Sequence, residues 1–176
     1  RMYALPPDAA PPPRRASVGV VEFQGGGAFS PSDLKKSQVQ NGLSRNPVSS
    51  DHIVGVNPGG ADVETSLDLQ AVSMVGGGAV ELWYLNYENW IYEFATDVQN
   101  RPDSPDVFSL SYGWYEGDQT RIVGALNSSE AYVRRCNVEL MKLAAMGKTV
   151  VVSSGDSGST GRSFDGAAPL IRPDFP

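Results

Sequence analysis

Glu64 and Asp68 stand four residues apart in Glu64-Thr65-Ser66-Leu67-Asp68. On a helix, positions i and i+4 project from one face about one turn apart. Carboxylates so placed repel each other, and if both are sheltered from water at least one keeps its proton at moderately acid pH. That is a way to build a tuned acid–base pair. The same spacing suits two solvent-facing acids near a helix start, where the macrodipole favours negative charge. A second candidate is Ser153-Ser154-Gly155-Asp156-Ser157-Gly158, which follows the apolar run Thr149 to Val152. Its small residues let a ligand approach the backbone. A neutral Asp156 could donate a hydrogen bond to a developing oxyanion, whereas an ionised one would repel it. An ordinary Asp-containing turn has the same composition. A third is Ser109-Leu110-Ser111-Tyr112-Gly113, at the end of an apolar run. An exposed strand edge there could pair with an extended peptide, and a strand running into a turn is the plain alternative.

Other chemistry-bearing residues point elsewhere. Gly25-Gly26-Gly27 superficially suggests a phosphate loop, but no Lys-Ser/Thr pair follows and Ser30 stands where the dinucleotide fingerprint needs Gly. The chain has a single histidine and a single cysteine. A lone His excludes multi-His metal sites, and a lone Cys excludes an internal disulfide framework. His52 opens the run His52-Ile53-Val54-Gly55-Val56 and is expected to be plain strand structure. Cys136 falls in a helical pattern and is expected to be a packed thiol. Asn127-Ser128-Ser129 is an N-glycosylation sequon ahead of a long helix, where Ser128 or Ser129 could equally serve as the cap.

The elements that must position these residues follow a rhythm. Five apolar runs read as strands: 16–23, 52–56, 79–85, 107–111 and 149–152. Between them lie helical patterns. One opens at Pro31, with Ser30 as its cap. The next spans Val63 to Val75, with apolar residues at 63, 67, 71, 72 and 75. A third covers about 90–97. The longest runs from Ser128 to Ala145, with Tyr132, Val133, Cys136, Leu140, Leu143 and Ala144 as its inner face and Gly147 as its stop. Alternation of this kind implies an α/β fold, a parallel sheet with helices on both faces, whose sites lie at the carboxyl ends of the strands. Residues 1–15, with five prolines, read as an extended Pro-rich arm without a core. The segment after Asp156 carries Pro169, Pro173 and Pro176 and is expected to add no strand, so the sheet is expected to be incomplete in this chain.

Composition narrows the classes of function. The 176 residues are 40 % hydrophobic with a formal charge of −6, and the pI is about 4.7. A basic nucleic-acid footprint is absent. No stretch reaches the roughly 20 apolar residues of a membrane span. Residues 1–15 contain no apolar core and are not expected to be a signal peptide.

In order and spacing, from about Ala16 to Pro176, these motifs resemble the sedolisin family of serine-carboxyl peptidases, most closely its tripeptidyl-peptidase-like members. Val20-Val21-Glu22-Phe23-Gln24-Gly25-Gly26-Gly27 is similar to the family's first strand with its Glu and Gly run, Glu64-Thr65-Ser66-Leu67-Asp68 to its Glu-x-x-x-Asp helix, Ser109-Leu110-Ser111-Tyr112-Gly113 to its substrate-binding strand, and Ser154-Gly155-Asp156-Ser157-Gly158 to its oxyanion loop. The resemblance implies a subtilisin-like sheet. It implies that Glu64 is the general base for a serine, that Asp68 orients and shares a proton with Glu64, that Asp156 donates to the oxyanion, and that Glu22 extends the network behind the pair. Ser109, Leu110, Ser111, Gly113, Ser153, Ser154 and Gly155 would line the substrate. Several members have Trp where this chain has Tyr112, which leaves that side chain without an assigned role. The family's Gly-Thr-Ser nucleophile motif is absent from these residues. Residues 16–176 are therefore expected to be the N-terminal half of a peptidase domain. A C-terminal chain of the same precursor would supply the serine and the family's calcium site, with no metal bound by this chain.

The chemistry implied is coherent with acid pH and with a secreted, lysosomal or other acidic compartment. A histidine base is lost to protonation below about pH 6, whereas a carboxylate base with a pKa near about 4 to 5 still works there. Two alternatives stand beside it. A non-catalytic, subtilisin-like binding or regulatory module would keep the sheet and need no serine. A glycosidase-type carboxyl pair would flank a sugar at about 5 Å or more, which adjacent turns of one helix sharing a proton fit poorly.

Overall fold

The computed structural model describes residues 17–23, 29–43, 47–48, 50–55, 57, 59–76, 80–84, 90–124, 127–160 and 171–176. The Pro-rich arm, the Gly25-Gly26-Gly27 run and the segment 161–170 lie outside the described residues. Five strands form one parallel sheet: β1 (Val18–Glu22), β2 (Ile53–Val54), β3 (Val80–Tyr84), β4 (Val107–Leu110) and β6 (Thr149–Val152), in the order β2-β3-β1-β4-β6. The chain starts at the centre, moves to the β2 edge, returns, and then crosses β1 to build the other half. Four helices make the crossovers: α1 (Pro31–Gln40), α2 (Val63–Gly76), α3 (Trp90–Gln99) and α4 (Ser129–Ala145).

Alternation along β1 shows why both faces are covered. Val20 packs with Phe29, Leu34 and Leu69 on the α1/α2 face. Its neighbour Val21 points the other way, into the larger core with Ile91, Phe94, Phe108, Val133, Cys136 and Leu143 under α3 and α4. Phe94 and Phe108 meet edge to face at 5.2 Å between centroids. Each fully buried aromatic of this kind contributes about 1.5–3 kcal/mol by removal from water. Gly19 is required beside them, because a β-carbon there would strike the Phe108 ring.

Local signals set the helix ends. The Ser30 hydroxyl accepts from the Asp33 N–H and Pro31 occupies the first turn of α1. Ser128 caps α4 through the Ala131 N–H, and Gly147 leaves it with φ of 80°. Cys136 is fully buried and its thiol is pushed up to about 11 by burial.

Four expectations need correction. Strand β2 is only two residues long, and His52 closes a 3-10 turn before it instead of opening the strand. The tail does add a strand: β7 (Asp174–Phe175) pairs antiparallel with β5 (Trp114–Tyr115), and Phe175 joins the larger core. Ala144 is exposed, whereas Glu139 is buried on the inner face of α4, bonded to Gln99 at 2.9 Å and Lys142 at 2.7 Å. In α2 the apolar period located the helix, but Val63, Leu67 and Val75 are exposed; the sheet-facing side carries Thr65, Asp68, Leu69 and Ser73. Ser73 accepts from Gln38 of α1 at 2.9 Å, which explains a polar residue between two helices.

Candidate active site

Glu22 is the last residue of β1 and shares the α2 face with Val20, two positions back. It is completely buried. Its Oε2 accepts from the Tyr112 hydroxyl at 2.7 Å and lies 3.2 Å from Thr65 Oγ1. Burial first, opposed by the Tyr112 bond and reinforced by the charge of Asp68, pushes its pKa up to about 7. Below that pH the carboxyl is neutral. The Tyr112 phenol is held far above its ordinary pKa by burial and by Glu22, so it stays a donor.

Asp62 stands immediately before α2 and accepts the Thr65 N–H at 3.1 Å, the usual service of a cap residue. This fixes the first turn of α2 against β1. Glu64 and Asp68 lie on this one helix, as their spacing implies. Asp68 is buried, bonded to Ser111 just past the end of β4; burial raises its pKa and the Ser111 bond opposes the rise. Glu64 is only partly exposed. Its pKa is raised by burial and then by the charges of Asp68, Asp156 and Asp62. The influence of Asp156 on Glu64 brings the loop after β6 to the same end of the sheet.

That loop is exposed from Ser153 to Asp156. Ser153 N–H bonds the Leu110 carbonyl at 3.0 Å, which continues the β4–β6 pairing by one step. Gly155 has φ of 81°, a left-handed conformation that favours glycine. The expected free edge on Ser109-Leu110 is not there. Strand β4 is interior, paired with β1 on one side and β6 on the other, and Leu110 is buried. Beyond it, Ser111 is engaged with Asp68 and Gly113 backs onto Asp174 and Phe175. The loop Ser153, Ser154, Gly155 is the open part of the set.

Sequence reasoning missed Thr65 and Asp62. The signal was present, since 62, 65 and 68 or 69 follow the three- and four-residue steps of one helix face. Asn127 is exposed, and Ser129 Oγ accepts the Thr120 N–H at 3.2 Å while Ser128 caps α4. Among the described residues no group of three or more His, Cys, Asp or Glu side chains could hold a metal ion.

No protein-family model matches the chain. It is 38 % identical over 169 residues to Physarolisin of Physarum polycephalum, covering 92 % of this chain and 28 % of that protein. It is 36 % identical over 140 residues to Tripeptidyl-peptidase 1 of Dictyostelium discoideum, covering 74 % and 21 %. With human Tripeptidyl-peptidase 1 the identity is 32 % over 131 residues, 67 % of this chain and 20 % of the relative. The chain thus spans about a quarter of the length of the curated relatives it matches. Among solved structures, Pseudomonas sedolisin, a serine-carboxyl proteinase complexed with two molecules of pseudo-iodotyrostatin, superposes with a TM-score of 0.64 at 22 % identity, covering 92 % of this chain and 45 % of that one. That likeness concerns the fold, and the curated relatives add the sequence: the chain belongs to the sedolisin family.

Proposed function

We propose that this chain carries the acid–base and oxyanion side of an acid-active serine-carboxyl peptidase. The observation that supports it most is the convergence of Glu22, Glu64 and Asp68 at the carboxyl ends of the strands, all three with raised pKa values, with Asp156 close enough to act on Glu64. On this reading Glu64 takes the proton of an attacking serine, Asp68 orients Glu64 and buffers its proton, and a neutral Asp156 donates to the oxyanion of the tetrahedral intermediate. Ser153, Ser154 and Gly155 line the peptide. Ser109, Leu110, Ser111 and Gly113 support that surface from behind.

On this reading the nucleophile belongs to a part outside these 176 residues, in which the motif Gly-Thr-Ser does not occur. On the same reading a C-terminal part of the precursor supplies the serine and a calcium site, and the working compartment is acidic, secreted or lysosomal. Endopeptidase and tripeptidyl peptidase action are both compatible with this geometry. The test is peptide cleavage by the native protein across about pH 3 to 7, with an irreversible serine label. Acid-dependent cleavage blocked by the label supports the proposal. A protein that binds peptides without cleaving them at any pH refutes it.

A further inference from the structure

Glu22 Oε2 has two hydroxyl neighbours, Tyr112 at 2.7 Å and Thr65 at 3.2 Å, while Oε1 is buried without any partner among the described residues. A phenol or an alcohol has one hydrogen to give. Tyr112 has its hydroxyl on Oε2. Thr65 Oγ1 is nearer to Glu22 Oε2 than to Asp62 Oδ2, at 3.2 against 3.4 Å, and that Asp62 oxygen already accepts the Thr65 N–H. The shorter of its two contacts assigns the Thr65 hydrogen to Oε2, beside that of Tyr112, and a carboxyl oxygen that accepts two donors is a poor place for a third hydrogen. We propose that Thr65, together with Tyr112, is a positioning residue that fixes the proton of neutral Glu22 on Oε1 and keeps Oε2 as its carbonyl oxygen.

The surroundings make this matter. The charged groups acting on Glu22 are Asp68 and Glu64 of α2, and Asp62 touches it through Thr65. All are acidic, and Asp68 Oδ2 is itself buried without a partner among the described residues. A Glu22 free to rotate could place its proton on either oxygen; with two hydroxyls on one side, it has one neutral form. Its consequence for activity rests on the peptidase reading, in which neutral Glu22 adjoins Glu64 and Asp68 at acid pH. The proton's location does not depend on that reading.

Infrared difference spectroscopy of the native protein between about pH 5 and 9, which brackets the Glu22 transition, tests the location without substrate. The band lost in Glu22→Gln is the Glu22 carbonyl stretch. If that carbonyl is Oε2, Thr65→Val and Tyr112→Phe each remove one donor and move the band to higher wavenumber, and Thr65→Ser returns it. Should Thr65→Val fail to fold, Thr65→Ala reads the same bond. A band that neither substitution moves, or no carboxylic band for Glu22 at about pH 5, overturns the proposal. Activity then separates the two ideas. Losing the Thr65 donor raises the hold of Glu22 on its proton, so the alkaline limb of kcat shifts to higher pH in Thr65→Val and returns in Thr65→Ser. A band that shifts with an unmoved limb keeps the proton on Oε1 and removes it from the peptidase mechanism.

Discussion

The carboxylate of Asp174 occupies the space that a β-carbon on Gly155 would need. The two come from different elements: Gly155 from the loop after β6, Asp174 from β7, which also backs Gly113. A tail strand of two residues thus buttresses the loop that carries Asp156. Gly155 also has φ of 81°, where a side chain costs about 1–2 kcal/mol. Gly155→Ala is therefore expected to destabilise the protein by that amount plus the cost of swinging Asp174 aside. Asp174→Ala should remove the second part only. Urea denaturation of both single variants and the double variant measures the coupling; strictly additive effects would contradict the contact.

Burial of Glu22 makes stability depend on pH. Its folded pKa of about 7 lies above the ordinary 4.5, so the folded state binds the proton more tightly than the unfolded one. The contribution is fully present below about 4.5 and is lost as pH rises through 7. A shift from 4.5 to about 7, at about 1.4 kcal/mol per pKa unit, amounts to roughly 3 kcal/mol. Denaturation midpoints should fall between about pH 4.5 and 7.5 for this reason, and Glu22→Gln should flatten that part of the curve. An unchanged slope in Glu22→Gln would place the transition on another group.

Particular residues show what could be seen before the fold was known. Ser30-Pro31, Ser128 and Gly147 announce helix ends through bonds that reach only three or four residues, so they were visible. The Glu64–Asp68 pair was visible for the same reason. Strand β7 was not, because two residues pair only where Trp114 and Tyr115 come to meet them. Nor was the buried side of α2, since apolar residues surround this helix and only packing decides which of them are covered. Thr65 hides for a related reason: its partner Glu22 is 43 positions away.

Substitutions in the site should separate base from oxyanion donor. Glu64→Gln leaves shape and removes the lone pair that accepts a proton, so kcat of the native protein should fall by about 10²–10⁴-fold. Asp156→Asn keeps a donor, because an amide N–H can face an oxyanion, and the loss should be smaller. Steady-state kinetics across the acid range check both. Wild-type turnover by Glu64→Gln at its best pH would remove Glu64 from the mechanism.

Among the described residues no serine hydroxyl is bonded to Glu64, whose environment is otherwise that of a base: partly sheltered, with a raised pKa and acidic neighbours. The Ser111 side chain is taken by Asp68, and Ser153 is tied through its N–H to Leu110. A polypeptide of these 176 residues alone is therefore expected not to hydrolyse peptides. Apolar surface along β6 and α4 fits the same expectation. Val151, Val138, Met141 and Met146 are exposed, and a cleft of about 430 Å³ lies between Ile91, Leu140, Val150 and Val152. On the proposed reading, the part bearing the serine covers this side, with an interface larger than a transient contact. Isolating the chain, confirming it by mass and assaying cleavage between about pH 3 and 5, where carboxylate bases work, tests the idea. Robust cleavage by the isolated chain would return the nucleophile to one of its own serines and dismiss the partner.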